Sequence, residues 1–199
     1  IKYLLRINKS RMPYELLSRD ALKEIEFSEI QTSKKGQKYI EIRFAGNTPI
    51  FQLSAKPLYS PFQAGVYGDA NHSATRLNLE LNLDDDTQSM LETLDTYFEA
   101  QLQSLAPGKQ YHKLVQKTGD YPARVRCKVN TAGPQAARFW STDQSPLGNV
   151  KNADTAAKNI TCCVCVSKIW LMGISAGVTL ELRAAVLDHG TIPSDVFPL

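Results

Sequence analysis

Three cations alternate with apolar residues in the segment Arg124-Val125-Arg126-Cys127-Lys128-Val129. In a β-strand, residues two apart lie on the same face, so the three cations would project together at intervals of about 7 Å. The phosphates of an extended single strand of nucleic acid have a similar spacing. Cations that neutralise phosphates release counterions and thereby drive binding. The alternation therefore predicts a strand that contacts a phosphate backbone.

Further cations lie on both sides of this strand in the sequence. Lys109, Lys113 and Lys117 are four residues apart and would line one face if that stretch is helical. The turn at Lys34 and Lys35 is interpreted either as a second wall of a groove or as a solvated turn. We predict phosphate contacts at Arg124, Arg126, Lys128, Arg138, Lys109, Lys113, Lys117, Lys34, Lys35, Lys38 and Arg43.

Aromatic residues are interleaved with these cations. Flat rings bind unstacked bases without demanding a particular base, so cations and rings on one surface are typical of single-strand binding. Phe139 and Trp140 are equally explained by core packing, and Trp170, between Ile169 and Leu171, is assigned to the core. We predict base stacking at Tyr121, Phe139, Trp140 and Tyr111.

The net charge of the 199-residue chain is only +3, but the charges are segregated. Residues 106–168 hold ten Lys and Arg against three Asp and Glu, whereas residues 51–105 hold two against eight. Segregation of this kind indicates an anionic partner for the basic segment. An unevenly charged, solvated surface is the alternative interpretation.

The sequence offers little for catalysis. The three histidines, His72, His112 and His189, have no partners at a metal-binding spacing, and no GxSxG, Walker A or GxGxxG motif occurs. The run Cys162-Cys163-Val164-Cys165 is typical of a packed strand, with Cys162 on one face and the other two on the opposite face. We therefore expect a protein that is not an enzyme, with no catalytic residues, metal or cofactor.

The periodicity of the chain predicts a mainly β fold with one long helix. Leu77–Leu83 alternates leucine with polar residues, as a half-buried strand does. Acidic residues Asp84–Asp86 precede a helical stripe, which predicts an amphipathic helix over residues 86–105. Other strands are predicted at 25–30, 39–44, 50–53, 124–129, 160–167 and 178–186, with 169–174 as the link between the last two.

Three segments together carry a family resemblance: Leu77–Leu105, Tyr121–Val129 and Ile160–Leu182, the last with Trp170 and the turn Met172-Gly173-Ile174. They resemble the single-stranded-DNA-binding proteins of large eukaryotic DNA viruses, which are distantly similar to phage replication proteins of the same function. The resemblance implies an OB-fold-like barrel with long hairpins and an inserted helix. It also implies sequence-independent binding of single-stranded DNA during replication, recombination or repair.

The resemblance also sets expectations for domains, partners and location. We expect one nucleic-acid-binding domain over residues 1–187, in which 1–20 form an N-terminal extension, and a tail over 188–199. Phage members recruit replication proteins through an acidic, aromatic-ended tail, whereas this tail holds only two acids and Phe197. Single-stranded DNA is the expected partner, RNA is not excluded, and self-association remains possible. No apolar stretch is long enough to span a bilayer, no apolar run near the start resembles a signal peptide, and the four cysteines favour a reducing compartment. We therefore expect an intracellular protein, nuclear or at a viral replication site, that is not secreted.

Two alternatives remain open from the sequence. A viral coat or nucleocapsid β-sandwich would also carry a basic face toward nucleic acid. A nuclease would need a carboxylate cluster, for which Asp84–Asp86 is the dense candidate, although helix capping explains these residues more simply.

Overall fold

The computed structural model describes residues 22, 24–65, 76–143, 145–147 and 153–188. The predicted extension over 1–20 and the tail beyond residue 188 lie outside the described residues. The long strands are β1 (Ile25–Thr32), β2 (Lys38–Phe44), β5 (Arg76–Asn82), β8 (Arg124–Asn130), β10 (Lys158–Met172) and β11 (Ser175–Leu187). The short strands are β3 (Ile50–Gln52), β4 (Leu58–Ser60), β6 (Gln110–His112), β7 (Val115–Gln116) and β9 (Arg138–Trp140).

These strands form one sheet rather than the two sheets that a β-sandwich would need. Its hydrogen-bonded order is β1-β2-β10-β11-β8-β5, with the short strands added at β8, β10 and β11. The named strands do not close into a barrel in the described part of the chain. A bridge between Gly65 and Asn78, and a hydrogen bond from Ser60 Oγ to the Glu80 carbonyl, nevertheless bring the segment after β4 alongside β5. The predicted mainly β class is confirmed, with an open sheet.

The hairpin of β10 and β11 forms the centre of the sheet. The prediction that 169–174 is a link is wrong, because β10 continues to Met172 and the turn contains only Gly173 and Ile174. Ile169 and Leu171 are buried, so the inward alternation of the strand continues through the predicted link. Gly173 has a φ of +55°, a conformation that glycine adopts without the strain a side chain would add.

Two β-bulges interrupt this hairpin. In the first, Ser167 and Lys168 on β10 lie opposite Thr179 alone, between the pairs Val166–Leu180 and Ile169–Val178. In the second, Arg183 on β11 has no counterpart between Val164 and Cys163 of β10. A bulge bends its strand, increases the local twist and redirects a side chain.

Helix α1 (Asp85–Leu105) packs on the inner face of the sheet, and the predicted helix is confirmed to within one residue. The Asp84 side chain accepts a hydrogen bond from the Thr87 amide at 2.8 Å, which makes it the N-cap, and Asp85 and Asp86 occupy the first turn. Carboxylates at these positions complement the positive end of the helix dipole. The acidic run is therefore explained by capping, as the simpler interpretation predicted. No helix in the described residues has the length and apolarity to cross a membrane.

The inner face of the sheet and α1 share one apolar core. Leu79, Leu81, Val125 and Cys127 lie in it beside Phe98 of the helix. All four cysteines are buried and unpaired, as core packing predicts. Burial raises the pKa of the Cys127 thiol to about 12, so it stays neutral at physiological pH.

A buried carboxylate connects α1 to the segment that carries Lys113. Asp95 accepts hydrogen bonds from the Leu114 amide at 2.8 Å, the Val115 amide at 3.2 Å and the Tyr111 hydroxyl at 2.9 Å. Burial raises the pKa of Asp95, and these three donors oppose that rise. The carboxylate thus holds the chain between β6 and β7 against the helix.

We expect Asp95→Asn to lower the free energy of unfolding by about 1–3 kcal/mol, because an amide nitrogen cannot accept and leaves a buried donor without a partner. Urea denaturation followed by circular dichroism measures the change. Glu99→Gln, at an exposed position of the same helix, is the control and should stay within about 0.5 kcal/mol of the parent. Equal stability of parent and Asp95→Asn would contradict this role.

Candidate nucleic-acid interface

The outer face of the sheet, on the side away from α1, carries the alternating cations of β8. Val125, Cys127 and Val129 are buried on the inner face, whereas Arg126 and Lys128 are exposed on the outer face. Arg124 also lies on the outer face and is half-buried. The predicted alternation is therefore confirmed, and the three cations share one surface.

Glu80 of β5 engages two of these cations. Its Oε1 accepts from Arg126 Nη2 at 2.8 Å and from Nε at 3.1 Å, and its Oε2 accepts from Arg124 Nη1 at 3.3 Å. The Arg124 guanidinium also lies over the Phe62 ring, 5.9 Å from the centroid. A guanidinium has five donors, and the bond to Glu80 uses one of those of Arg124. The arginine pair is held in place by an internal counter-charge.

A basic groove opens beside Lys128 on the same face. It has a volume of about 480 Å³, and its charged lining residues are three cations, Arg76, Lys168 and Arg183, and one acid, Glu181. Thr48, Ser167, Asn130 and the turn at 132–135 supply the rest of its lining. Excess positive charge in a concave site attracts an anion more strongly than the same charge on an open surface.

The bulges of the central hairpin explain why two of these cations reach the groove. Lys168 belongs to the two-residue side of the first bulge, and Arg183 is the extra residue of the second. Arg183 is further held by its Nε, which lies 3.0 Å from the Cys165 sulfur. The two β-bulges therefore direct Lys168 and Arg183 toward the groove.

The surroundings of Lys128 disfavour its charged form. Partial desolvation of the ammonium group lowers its pKa, and the neighbouring charges of Arg76 and Lys168 lower it further, while Glu181 opposes the effect. A phosphate next to Lys128 would reverse this shift, since an opposite charge favours the ionised amine. The cations Arg76, Lys128 and Lys168 repel one another, and a bound anion would relieve this repulsion.

An aromatic row crosses the outer face next to the groove. Trp170 on β10 pairs directly with Tyr39 on β2 and with Gly177 on β11, and Gly177 pairs with His112 on β6. The rings of Trp170 and His112 lie 5.7 Å apart, and Lys168 Nζ lies 5.6 Å from the centre of the Tyr39 ring. We call Tyr39, Trp170 and His112 the aromatic row.

Gly177 permits the close approach of the two rings on either side of it. A Cβ atom at this position would lie 2.8 Å from Cζ2 of Trp170 and 3.0 Å from the His112 carbonyl. The indole therefore lies over the bare backbone of the glycine and remains half-buried. A rigid, partly exposed ring at this place is suited to stacking against a base.

The structure corrects three of the four predicted stacking residues. Phe139 is 2% exposed, Trp140 is 8% exposed and Tyr111 is 8% exposed, so their rings are covered by the protein. Trp140 packs with Cys163, and the Tyr111 hydroxyl donates to Asp95. Only Tyr121, with 69% of its surface exposed, has a ring open to solvent as predicted.

The predicted cations outside β8 are distributed over three places. Lys109, Lys113 and Lys117 do not form a helical face, because β6 and β7 occupy that stretch. The Lys109 amine donates to the Gly173 carbonyl at the turn of the central hairpin, while Lys113 and Lys117 are exposed. Arg138 is exposed and lies over the Trp140 ring, 5.2 Å from its centroid.

The β1–β2 hairpin holds the remaining predicted cations. Lys34, Lys35 and Lys38 are exposed, and Lys38 pairs with Leu171, which places this turn next to the turn of the central hairpin. Arg43 forms an exposed ion pair with Glu41 at 3.1 Å. The β1–β2 hairpin thus adjoins the aromatic row, because β2 is the neighbour of β10.

Sequence reasoning missed several residues of this surface: Arg76, Lys168, Arg183, Tyr39, Trp170 and His112. The alternation of β2 puts Tyr39 on the face opposite Ile40, so the outward position of Tyr39 could be predicted from the sequence. The buried residues Val166 and Ile169 are three apart instead of two, a break that signals the bulge at Lys168. No local pattern signals that the outer sides of β10 and β6 meet.

The groups on this surface are of the kinds that bind a charged polymer. In the described part of the chain, no three His, Cys, Asp or Glu side chains lie together in a way that would hold a metal ion. Cations, half-buried rings and a groove are features that bind an anionic, aromatic polymer.

No protein-family model matches the chain, and no curated protein matches its sequence. Solved structures similar to it include the single-stranded-DNA-binding protein gp2.5 encoded by bacteriophage T7, with a TM-score of 0.49 and 12% identity over 73% of this chain and 89% of that one. Another is the C-terminally truncated single-stranded-DNA-binding protein of bacteriophage Enc34, with a TM-score of 0.49 and 8% identity over 84% and 98% of the chains. The Enc34 protein in complex with single-stranded DNA gives a TM-score of 0.46 and 10% identity over 83% and 97%.

Proposed function

We propose that this protein binds single-stranded DNA without sequence preference, along the outer face of its sheet. The observation that carries the proposal is the aromatic row, Tyr39, Trp170 and His112, beside the basic groove on one continuous surface. Stacking on rings tolerates every base, and cations that meet phosphates are indifferent to sequence. The two together bind a strand whose bases are unpaired.

We propose separate roles for the parts of this surface. Phosphates would lie in the groove near Arg76, Lys128 and Lys168, where the cations lack sufficient internal counter-charge. Bases would stack on Trp170 and Tyr39, whose neighbouring strands fix the spacing between the rings. A duplex hides its base faces, so it would use the cations alone and bind more weakly.

Titration with oligo-dT, followed by tryptophan fluorescence, tests the proposal. We expect quenching of Trp170, and an affinity that falls about 50-fold between about 50 mM and 200 mM salt if about four phosphates are neutralised. The variant Trp140→Phe isolates the Trp170 signal, and Trp170→Phe leaves the buried Trp140 as the silent control. Absence of both quenching and a mobility shift at low salt would refute the proposal.

Competition between single-stranded DNA, duplex DNA and RNA defines the substrate class. We expect single-stranded DNA to displace the labelled oligonucleotide at lower concentration than the duplex does. Equal competition by duplex would contradict the role of the aromatic row, since a duplex offers no free base faces to it. RNA competing as well as DNA would extend the substrate class to both single strands.

We further propose that the protein acts where single strands are exposed, during replication, recombination or repair, in the nucleus or at a viral replication site. Binding that is independent of sequence suits the protection of transient single strands. Size-exclusion chromatography of the protein with and without oligo-dT distinguishes this role from a coat protein. A monomer or small oligomer supports the proposal, whereas a large closed particle contradicts it.

A further inference from the structure

The turn of the central hairpin presents two large apolar side chains to solvent. Met172 is 71% exposed and Ile174 is 74% exposed, and they flank Gly173. Exposed apolar side chains that form one patch are a feature of interaction sites, whereas apolar side chains exposed singly are not. We call Met172, Gly173 and Ile174 the apolar tip.

The apolar tip is supported from below. The Lys109 amine donates to the Gly173 carbonyl, and the Gln110 amide donates to the Ile174 carbonyl at 2.8 Å. β6, which follows Lys109, runs parallel to β11 and pairs with its first residues, Ser175 to Gly177. The tip is therefore fastened to a third strand and ends a 15-residue strand.

The apolar tip continues the proposed binding surface. Lys168, Trp170 and Met172 are each two residues apart on β10 and project from one face in sequence: a cation, a ring and an aliphatic side chain. Lys38 and Lys109 lie beside the tip from the neighbouring strands. A strand that follows the groove and the aromatic row would reach Met172 next.

We propose that the apolar tip is a wedge that unstacks bases and opens duplex at its junction with a single strand. This inference rests on the proposed function and adds an activity to it. Aliphatic side chains such as Met and Ile, inserted between base steps, unstack them, and nearby cations hold the phosphates that flank the step. The aromatic row next to the tip then receives the freed base.

The test uses a DNA hairpin with a single-stranded tail, a fluorophore at one end of its stem and a quencher at the other. The parent protein is expected to open the stem at concentrations that saturate the tail. Met172→Ser together with Ile174→Ser is expected to reduce the opening at saturation by about tenfold. The serine side chains would not supply the apolar contact that replaces base–base stacking when a step is unstacked. Affinity of the same variant for oligo-dT is expected to fall less than the opening does, because the groove and the aromatic row are intact and oligo-dT has no stem to open. An equal fall in both would make the tip only a part of the single-strand surface and would overturn the wedge.

Ile30→Ser together with Tyr59→Ser is the matched control. These residues are 49% and 43% exposed and lie on β1 and β4, away from the turn of the central hairpin. The control should open the stem as the parent does. Circular dichroism and thermal unfolding confirm that both double variants are folded.

The outcomes separate the two proposals. If the parent binds oligo-dT but does not open the stem, or if the tip variant opens it normally, the wedge is overturned while the proposed function stands. If the parent fails to bind oligo-dT, the proposed function is overturned and the wedge with it. If the tip variant changes the oligomeric state in light scattering and leaves opening unchanged, the tip is a contact between copies and the wedge is overturned.

Discussion

Trp170→Ala is expected to lower the affinity for single-stranded DNA by about 5- to 150-fold, because stacking of a base on an aromatic ring contributes about 1–3 kcal/mol. The ring is held between Tyr39 and Gly177 on neighbouring strands, so its stacking surface is fixed before the strand arrives. Fluorescence anisotropy with a labelled oligo-dT measures the loss. The dependence of affinity on salt should be nearly unchanged, since no cation is removed.

Trp140→Phe is the control for this prediction. Trp140 is buried and packs against Cys163, so its replacement should leave the affinity within about twofold of the parent. Urea denaturation of both variants shows whether either one is unfolded under the binding conditions. A folded Trp170→Ala variant that binds as tightly as the parent would remove Trp170 from the interface.

A triple variant of the basic groove should show a loss on the order of fifty-fold at physiological salt, with a salt dependence weaker by about two in the slope of log affinity against log salt. The changes are Arg76→Gln and Lys168→Gln in the groove, and Lys128→Gln directly beside it. Each glutamine keeps most of the side-chain length and removes one positive charge. Lys128→Gln also removes a charge that burial and its cationic neighbours disfavour, so stability should not fall on its account.

The matched control removes the same charge elsewhere. Lys34→Gln, Lys35→Gln and Lys56→Gln change exposed lysines outside the groove. Titrations of both triple variants at several salt concentrations give the two slopes. Similar losses in the two variants would mean that net charge, rather than the groove, governs binding, and would contradict the prediction.

The regular parts of the fold were predictable because local periodicity determines them. In β8, each apolar residue is buried and each cation faces outward, so two-residue alternation alone identified the basic face. The helix behaved in the same way, since its capping Asp84 and apolar stripe are encoded within a short window. Strand and helix periods are properties of neighbouring residues, and the sequence contains them directly.

The groove depends on the two β-bulges of the central hairpin, and the positions of these bulges cannot be predicted from short stretches of sequence. Lys168 and Arg183 reach it because of bulges, and a bulge depends on the register between two strands rather than on one strand. Arg76 joins them from β5, which meets β8 across more than forty intervening residues. Charge counting therefore found a basic segment but could not show which cations share a groove.

Sequence neighbours were also a poor guide to which aromatic residues are buried and which are exposed. Phe139 and Trp140 follow Arg138 directly, and their proximity to cations in sequence suggested an open surface. The strand they form is only three residues long, too short for an alternating pattern to reveal which side is covered. Trp170 was assigned to the core because its sequence neighbours are apolar, yet those neighbours face inward and leave the indole on the outer face.

Glu80 gives the proposed interface a kinetic property. Arg124 and Arg126 already hold this carboxylate, so an arriving phosphate exchanges for it instead of meeting bare charges. When the phosphate leaves, the carboxylate takes its place, and neither arginine is left without a counter-charge. This exchange lowers the barrier to dissociation of the phosphate, and it also lowers the free energy gained when the phosphate binds. A strand bound as proposed would therefore shift along β8 more readily than along a row of cations that have no internal counter-charge.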